Sequence, residues 1–227
     1  MRKIGVLLAI LVAAGAFNAP AFASTIGPSC GSCNGASYTL SYSYVSQGGS
    51  TDVVNVTLSI NTSTMTAATL GMTPVQFASA GPIHLDNVAI KINSSILSST
   101  LIQAPVGNWS LMPGGLNAGG CSGSGAGWSC ALSATVGGAP VIGSGTPLVW
   151  VFHLTIPHGS LATALNGASI KARYVDKHGN KVGSLLSENI TDSQHLPPPQ
   201  VPEPGTMVLF GSGLLGLATV VRGRLRL

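Results

Sequence analysis

Polar and apolar side chains alternate through much of the middle of the chain. Residues 36–45 (ASYTLSYSYV) place Tyr38, Leu40, Tyr42 and Tyr44 on one side and Ser37, Thr39, Ser41 and Ser43 on the other. A period of two is that of a strand with one buried face. Residues 52–60 (DVVNVTLSI) repeat it through Val54, Val56, Leu58 and Ile60. Gln47-Gly48-Gly49-Ser50 between them is a turn signal, so the pair reads as a hairpin. Residues 83–92 (IHLDNVAIKI) alternate through Val88, Ile90 and Ile92, and the more apolar 148–156 (LVWVFHLTI) is expected at the centre of a sheet. Residues 169–176 and 181–186 flank a second turn, Lys177-His178-Gly179-Asn180, while 96–102 and 128–136 are weaker strand candidates. No helical period stands out between the two ends, although 73–80 and 161–165 suit short turns of helix. Residues 113–127 (PGGLNAGGCSGSGAG) are expected to form a Gly-rich loop. Many short strands separated by Gly, Pro and Asn turns predict an all-β fold, an antiparallel β-sandwich or jelly roll.

The ends follow another pattern. Residues 1–23 begin with Arg2 and Lys3, continue through an apolar run over 4–17, and close on Ala21-Phe22-Ala23. A positive start, a short greasy stretch and small residues at Ala21 and Ala23 make a secretory signal peptide, with signal peptidase expected to cut after Ala23. At the other end, residues 194–200 (QHLPPPQ) form a Pro-rich spacer that proline keeps stiff and extended. Residues 205–221 (GTMVLFGSGLLGLATVV) carry no charge and would span about 26 Å as a helix, near the lower limit for a bilayer core of about 30 Å. Arg222, Arg224 and Arg226 follow, and basic residues after an apolar segment stay cytoplasmic, which leaves the body outside. Gly211, Gly213 and Gly216 suit a helix that packs closely against another membrane protein.

Val201-Pro202-Glu203-Pro204, a short Gly-containing apolar segment and a terminal Arg cluster together resemble the PEP-CTERM protein-sorting signal. The resemblance covers residues 201–227 and implies roles there. Pro202-Glu203-Pro204 would be the signature recognised by exosortase, a multipass transpeptidase-like membrane enzyme, and the tail would be removed near it. The chain would then pass transiently through the inner membrane of a Gram-negative bacterium to the cell surface or an extracellular polysaccharide matrix, the setting of a biofilm. The expected organisation is a signal peptide over 1–23, an exported β-sandwich domain over 24–193, the spacer over 194–200 and the sorting signal over 201–227, with its transmembrane helix over 205–221.

Composition sharpens the picture of the body. Only 7% of the chain is charged, against 45% hydrophobic. Between residues 24 and 200 five basic and five acidic residues cancel, so the formal charge of +4 resides at the ends. A neutral body has no electrostatic footprint for nucleic acid. Ser and Thr make up 41 of those 177 residues, so the outer strand faces must be largely hydroxyls and amides.

Four cysteines, Cys30, Cys33, Cys121 and Cys130, fall in the exported part and favour two disulfides. Three connectivities are possible; Cys30–Cys33 with Cys121–Cys130 is preferred, the latter closing the Gly-rich loop. Cys30-Gly31-Ser32-Cys33 also has the spacing of a redox pair, but no helix follows to lower a thiolate pKa. Four cysteines can also bind zinc. His84 and Asp86 lie two apart on one strand and so could share a metal or acid–base site. No nucleophile elbow, zinc-protease or calcium-loop motif is present. Trp150 is expected in the core, whereas Trp109 and Trp128, beside Gly-rich segments, could stack on sugars. The expected function is a structural or adhesive surface protein without catalytic residues, cofactor or metal. The alternatives are a carbohydrate-binding module for extracellular polysaccharide and a secreted hydrolase.

Overall fold

The computed structural model describes residues 22–190, except 144 and 162–167. The signal peptide up to Ala21, the candidate helical turn at 161–165 beyond Leu161, the spacer and the whole C-terminal tail lie outside the described residues, as does His195. The strands are β1 (Phe22–Ile26), β2 (Ser37–Gly48), β3 (Thr51–Asn61), β4 (His84–Lys91), β5 (Ser98–Gln103), β6 (Trp109–Pro113), β7 (Gly115–Asn117), β8 (Gly120–Gly123), β9 (Trp128–Ser133), β10 (Leu148–Pro157), β11 (Ala168–Val175) and β12 (Lys181–Ile190). They form two five-stranded sheets, sheet A in the order β1-β2-β3-β10-β5 and sheet B in the order β12-β11-β4-β9-β6, with β7 and β8 as a separate small ribbon. The pairings within them are antiparallel.

The alternating segments form strands because alternation lets each sheet bury one face. Tyr38, Leu40 and Tyr42 of β2, Val54, Val56, Leu58 and Ile60 of β3, and Trp150, Phe152, Leu154 and Ile156 of β10 all point into one core. Leu85, Val88 and Ile90 of β4, Ile170, Ala172 and Tyr174 of β11, and Leu186 of β12 meet them from sheet B. Fully burying a side chain of this size contributes about 1.5–3 kcal/mol, so this shared core holds the sheets together. Within it the hydroxyls of Tyr38 and Tyr174 lie 2.6 Å apart, one strand from each sheet. Burial pushes both phenols well above their ordinary pKa, so the pair is neutral.

The β2–β3 hairpin turns on two residues. Gly49 has a φ of 66°, the positive value that a II′ hairpin requires at its first loop position. At the mouth of this hairpin Asp52 is buried and accepts hydrogen bonds from His158 Nδ1 (2.7 Å) and the Gly159 backbone N–H (2.8 Å). Burial pushes its carboxyl up, but these bonds outweigh burial and hold it below the usual carboxylate range. The pair ties the end of β10 to the start of β3. The helical turn expected at 73–80 is α1 (Pro74–Ala80). Thr73 and Gln76 form a reciprocal capping box at its start, and proline occupies the first helical position, where a backbone N–H is not needed.

Three features differ from the sequence expectation. β1 begins at Phe22, inside the segment assigned to the signal peptide; cleavage after Ala23 would leave Ser24, Thr25 and Ile26 paired with Leu40, Thr39 and Tyr38. β6 is a strand that the sequence pattern did not mark, formed because β9 supplies its ladder. The Gly-rich segment 113–127 is not a plain loop, because it contains the β7–β8 ribbon. Glycine permits that ribbon: Gly114 has a φ of 100°, and a β-carbon there would lie 2.5 Å from the Gly123 carbonyl oxygen.

Candidate functional site

The chemistry-bearing side chains of the body concentrate on the outer face of sheet B. β4 is buried on both faces, because β7 packs over its outward side. Leu116 of β7 forms a second small core there with Ala89 and Cys130. The Cys121–Cys130 disulfide joins β8 to β9 with Cα atoms 5.7 Å apart. Cys30–Cys33 closes the turn before β2 at 5.2 Å, so the preferred pairing is the one observed. Replacing Cys121 and Cys130 together with serine should cost about 2–3 kcal/mol on the chain-entropy model. Urea denaturation would read that cost, and hydrogen exchange should show the β7–β8 amides opening first.

His84 and Asp86 do not form a joint site. The register of β4 against β11 slips at this point: Arg173 pairs with Asn87 and Tyr174 with Leu85, leaving Asp86 as the extra residue of a bulge. Asp86 therefore swings to Arg173, whose Nε donates to Oδ1 at 3.1 Å and whose Nη2 donates to Oδ2. The same guanidinium donates to the Ala118 carbonyl at 3.1 Å, pinning the β7–β8 ribbon. His84 Nδ1 donates instead to the Ala139 carbonyl at 2.9 Å. His153, on the outer face of β10, bonds the Asn55 amide oxygen at 2.8 Å. In the β11–β12 turn Asp176 accepts from the backbone N–H groups of His178 and Asn180. Its carboxyl is pushed up by desolvation but held below its ordinary pKa by these bonds. Among the described residues no three His, Cys, Asp or Glu side chains gather as metal ligands would.

Both candidate sugar-stacking rings are half-buried. Trp109 stands edge-on to Trp150, with ring centroids 5.2 Å apart, and packs against the main core. Trp128 carries Lys171 Nζ at 4.7 Å from its ring centroid and Lys91 Nζ at 5.8 Å, a cation–π arrangement. Lys171 also donates to the Leu116 carbonyl at 3.1 Å. The roles of Lys91, Lys171 and Arg173 were not legible beforehand, because they depend on which strands become neighbours.

Two other surfaces stand out. An open groove of about 600 Å³ is lined by Asn34, Thr69, Gln76, Lys181, Gly183 and Ser184, among others. Asn34 has a φ of 53° and mimics a strand there, donating to the Ser184 carbonyl at 2.8 Å and accepting from its N–H at 3.0 Å. The outer face of sheet A carries rows of polar side chains interrupted by Val53, Val149 and Val151. Thr25, Thr39 and Ser59 line up across β1, β2 and β3, and Ser43, Asn55, His153 and Thr100 line up across β2, β3, β10 and β5.

The tail supplies the functional assignment. Residues 200–224 match the family model described as the PEP-CTERM protein-sorting motif. The tail is a PEP-CTERM sorting signal. The match contains Pro202-Glu203-Pro204, the apolar stretch, Arg222 and Arg224. The PEP-CTERM motif marks a protein sorted by an exosortase system, exported and delivered to the cell surface in Gram-negative bacteria. Among the described residues no helix is long and apolar enough to cross a membrane; the segment expected to do so, 205–221, lies outside them. No curated protein matches the chain. Among solved structures, the chain is similar to an uncharacterized protein from Nocardia farcinica with an immunoglobulin-like fold, at 12% identity over 67% of this chain and 98% of that one, with a TM-score of 0.33. A chain described as BspA_C_mut is 10% identical, covering 77% of this chain and 52% of its own, with a TM-score of 0.32. The all-β assignment rests on the strand pairings themselves.

Proposed function

We propose that this is a non-catalytic structural or adhesive protein of the cell surface or its extracellular polysaccharide matrix. Signal peptidase releases the N-terminus after Ala23. Residues 205–221 hold the chain in the inner membrane until an exosortase-like transpeptidase acts near Pro202-Glu203-Pro204. The observation that carries the reading is how the body spends its reactive groups. Asp52, Asp86 and Asp176, and the imidazoles of His84, His153 and His158, each bind a neighbouring strand or turn. Each bond supports a strand or turn of the fold, and none of the six groups lines the open groove. The outer face of sheet A suits a neutral, hydroxylated polymer, offering hydroxyls and amides that can exchange water for sugar.

A host strain lacking the chain tests this. It should lose matrix cohesion or surface attachment, and the wild-type chain should restore it. His84→Gln and Asp176→Asn variants, which keep neutral hydrogen-bonding groups in place and lie away from sheet A, should restore it equally. Unchanged cohesion in the deleted strain would contradict the proposal. So would failure of variants that are still folded and exported.

A further inference from the structure

We propose that the protein self-associates as a two-fold dimer by antiparallel pairing of β5 with β5 of a second copy. Among the described residues β5 pairs only with β10, so its other side is an open strand edge. Such an edge presents backbone N–H and C=O groups to any strand that fits, and proteins usually blunt it with Lys, Pro, bulges or a covering element. β5 (SSTLIQ) has no charged residue and no proline. The charge-free stretch extends far beyond it: no Asp, Glu, Lys or Arg occurs between Lys91 and Lys171. One blunting device is present, a bulge at Ile102, and it leaves Ser98 to Leu101 in regular register with β10.

The side chains here are also greasier than an exposed edge needs. Leu97 and Ile102 are each 57% exposed, and Val106, in the connection to β6, is 80% exposed. β6, the edge strand of sheet B, lies against β5 and adds Met112, so one flank of the sandwich carries this apolar, uncharged border. On the opposite flank the edge of sheet A is β1 (FASTI), also without charge or proline, but the edge of sheet B beside it is β12, which carries Lys181 and Glu188.

A second copy is the partner this edge fits. When a strand pairs antiparallel with its own twin, the interface is isologous: residue i meets residue j of the twin, and j meets i. A charge on such a strand would be present twice within one short ladder, directly opposed at the axis and close elsewhere, and like charges opposed across strands destabilise the pair. A strand with no charge, flanked by exposed apolar residues, meets that condition. Pairing would join two copies of sheet A into one continuous sheet and cover Leu97 and Ile102.

The test is light scattering on the full chain purified in detergent, with the detergent mass subtracted. The wild-type protein should have the mass of two chains. Ile102→Lys, which sets two lysines into the apolar border of the joined strands, should raise the dimer dissociation constant by at least about tenfold, a loss of about 1.4 kcal/mol. Below the dissociation constant, where both proteins are monomers, its urea midpoint should equal that of the wild type. Val75→Lys, on the exposed side of α1, should leave the dimer intact. A wild-type monomer would overturn the proposal, as would a dimer that Ile102→Lys does not weaken, the result expected if the apolar tail held the copies together. Open-ended filaments would overturn it too, since they require β5 to pair with a different edge. Equal loss of the dimer in both lysine variants would overturn it as well.

Discussion

Trp150→Ala should remove about 3–5 kcal/mol of stability, the range for deleting a large aromatic from a core. Trp150 is fully buried on β10, opposite Leu58 of β3, in the middle of sheet A. Its loss opens a void that the strand ladders on both sides prevent from closing. It also takes away the surface on which Trp109 stands. Among the described residues the buried indole nitrogens of Trp150 and Trp109 have no hydrogen-bond partner, so the effect comes from volume and not from a broken hydrogen bond. Trp150→Phe should therefore cost much less than Trp150→Ala. Urea denaturation checks both, and a shifted midpoint with unchanged slope marks a pure loss of stability. A loss below about 1 kcal/mol in the alanine variant would mean that Trp150 is not the keystone of this core.

The second large effect concerns the tail. Glu203 is the only acid in residues 194–227, and it stands between two prolines ahead of the apolar stretch. Proline limits its own backbone and that of the residue before it, so the sequence predicts an extended segment that presents Glu203 to a binding site. Recognition of one carboxylate by charge-assisted hydrogen bonds is worth about 1.5–3 kcal/mol. Glu203→Gln should then slow C-terminal processing by about 10- to 100-fold. Alanine at Pro202, Glu203 and Pro204 together should abolish it. Pulse labelling would show the uncut precursor accumulating in the cell envelope, with the body still folded. Normal processing of the triple variant would remove the motif from the mechanism.

What was legible in the sequence follows from how local each signal is. Tyr38, Leu40 and Tyr42 could be placed on one face because the other face of β2 is wet, and alternation then records the sheet directly. The Cys121–Cys130 pairing was legible because it spans only nine positions. The sorting signal was legible because its parts lie in order along the chain. β4 was harder. Its outward side is covered, so burial does not alternate along it. The two-residue spacing of His84 and Asp86 suggested a shared face, and one bulge sends them to different partners. The Asp86–Arg173 pair and the lysines around Trp128 join positions far apart in the chain, and only the strand order brings them together. β7 and β8 were hidden by glycine, which signals a loop by composition and here allows a tight ribbon.

Mass spectrometry of the protein recovered from its native host tests most directly whether the two ends are processed and the body is an exported sandwich. The expected species lies outside the cytoplasm, begins at Ser24, ends before the apolar stretch 205–221, and holds all four cysteines in the Cys30–Cys33 and Cys121–Cys130 disulfides. An intact chain from Met1 to Leu227, found in the cytoplasm with free thiols, would contradict it.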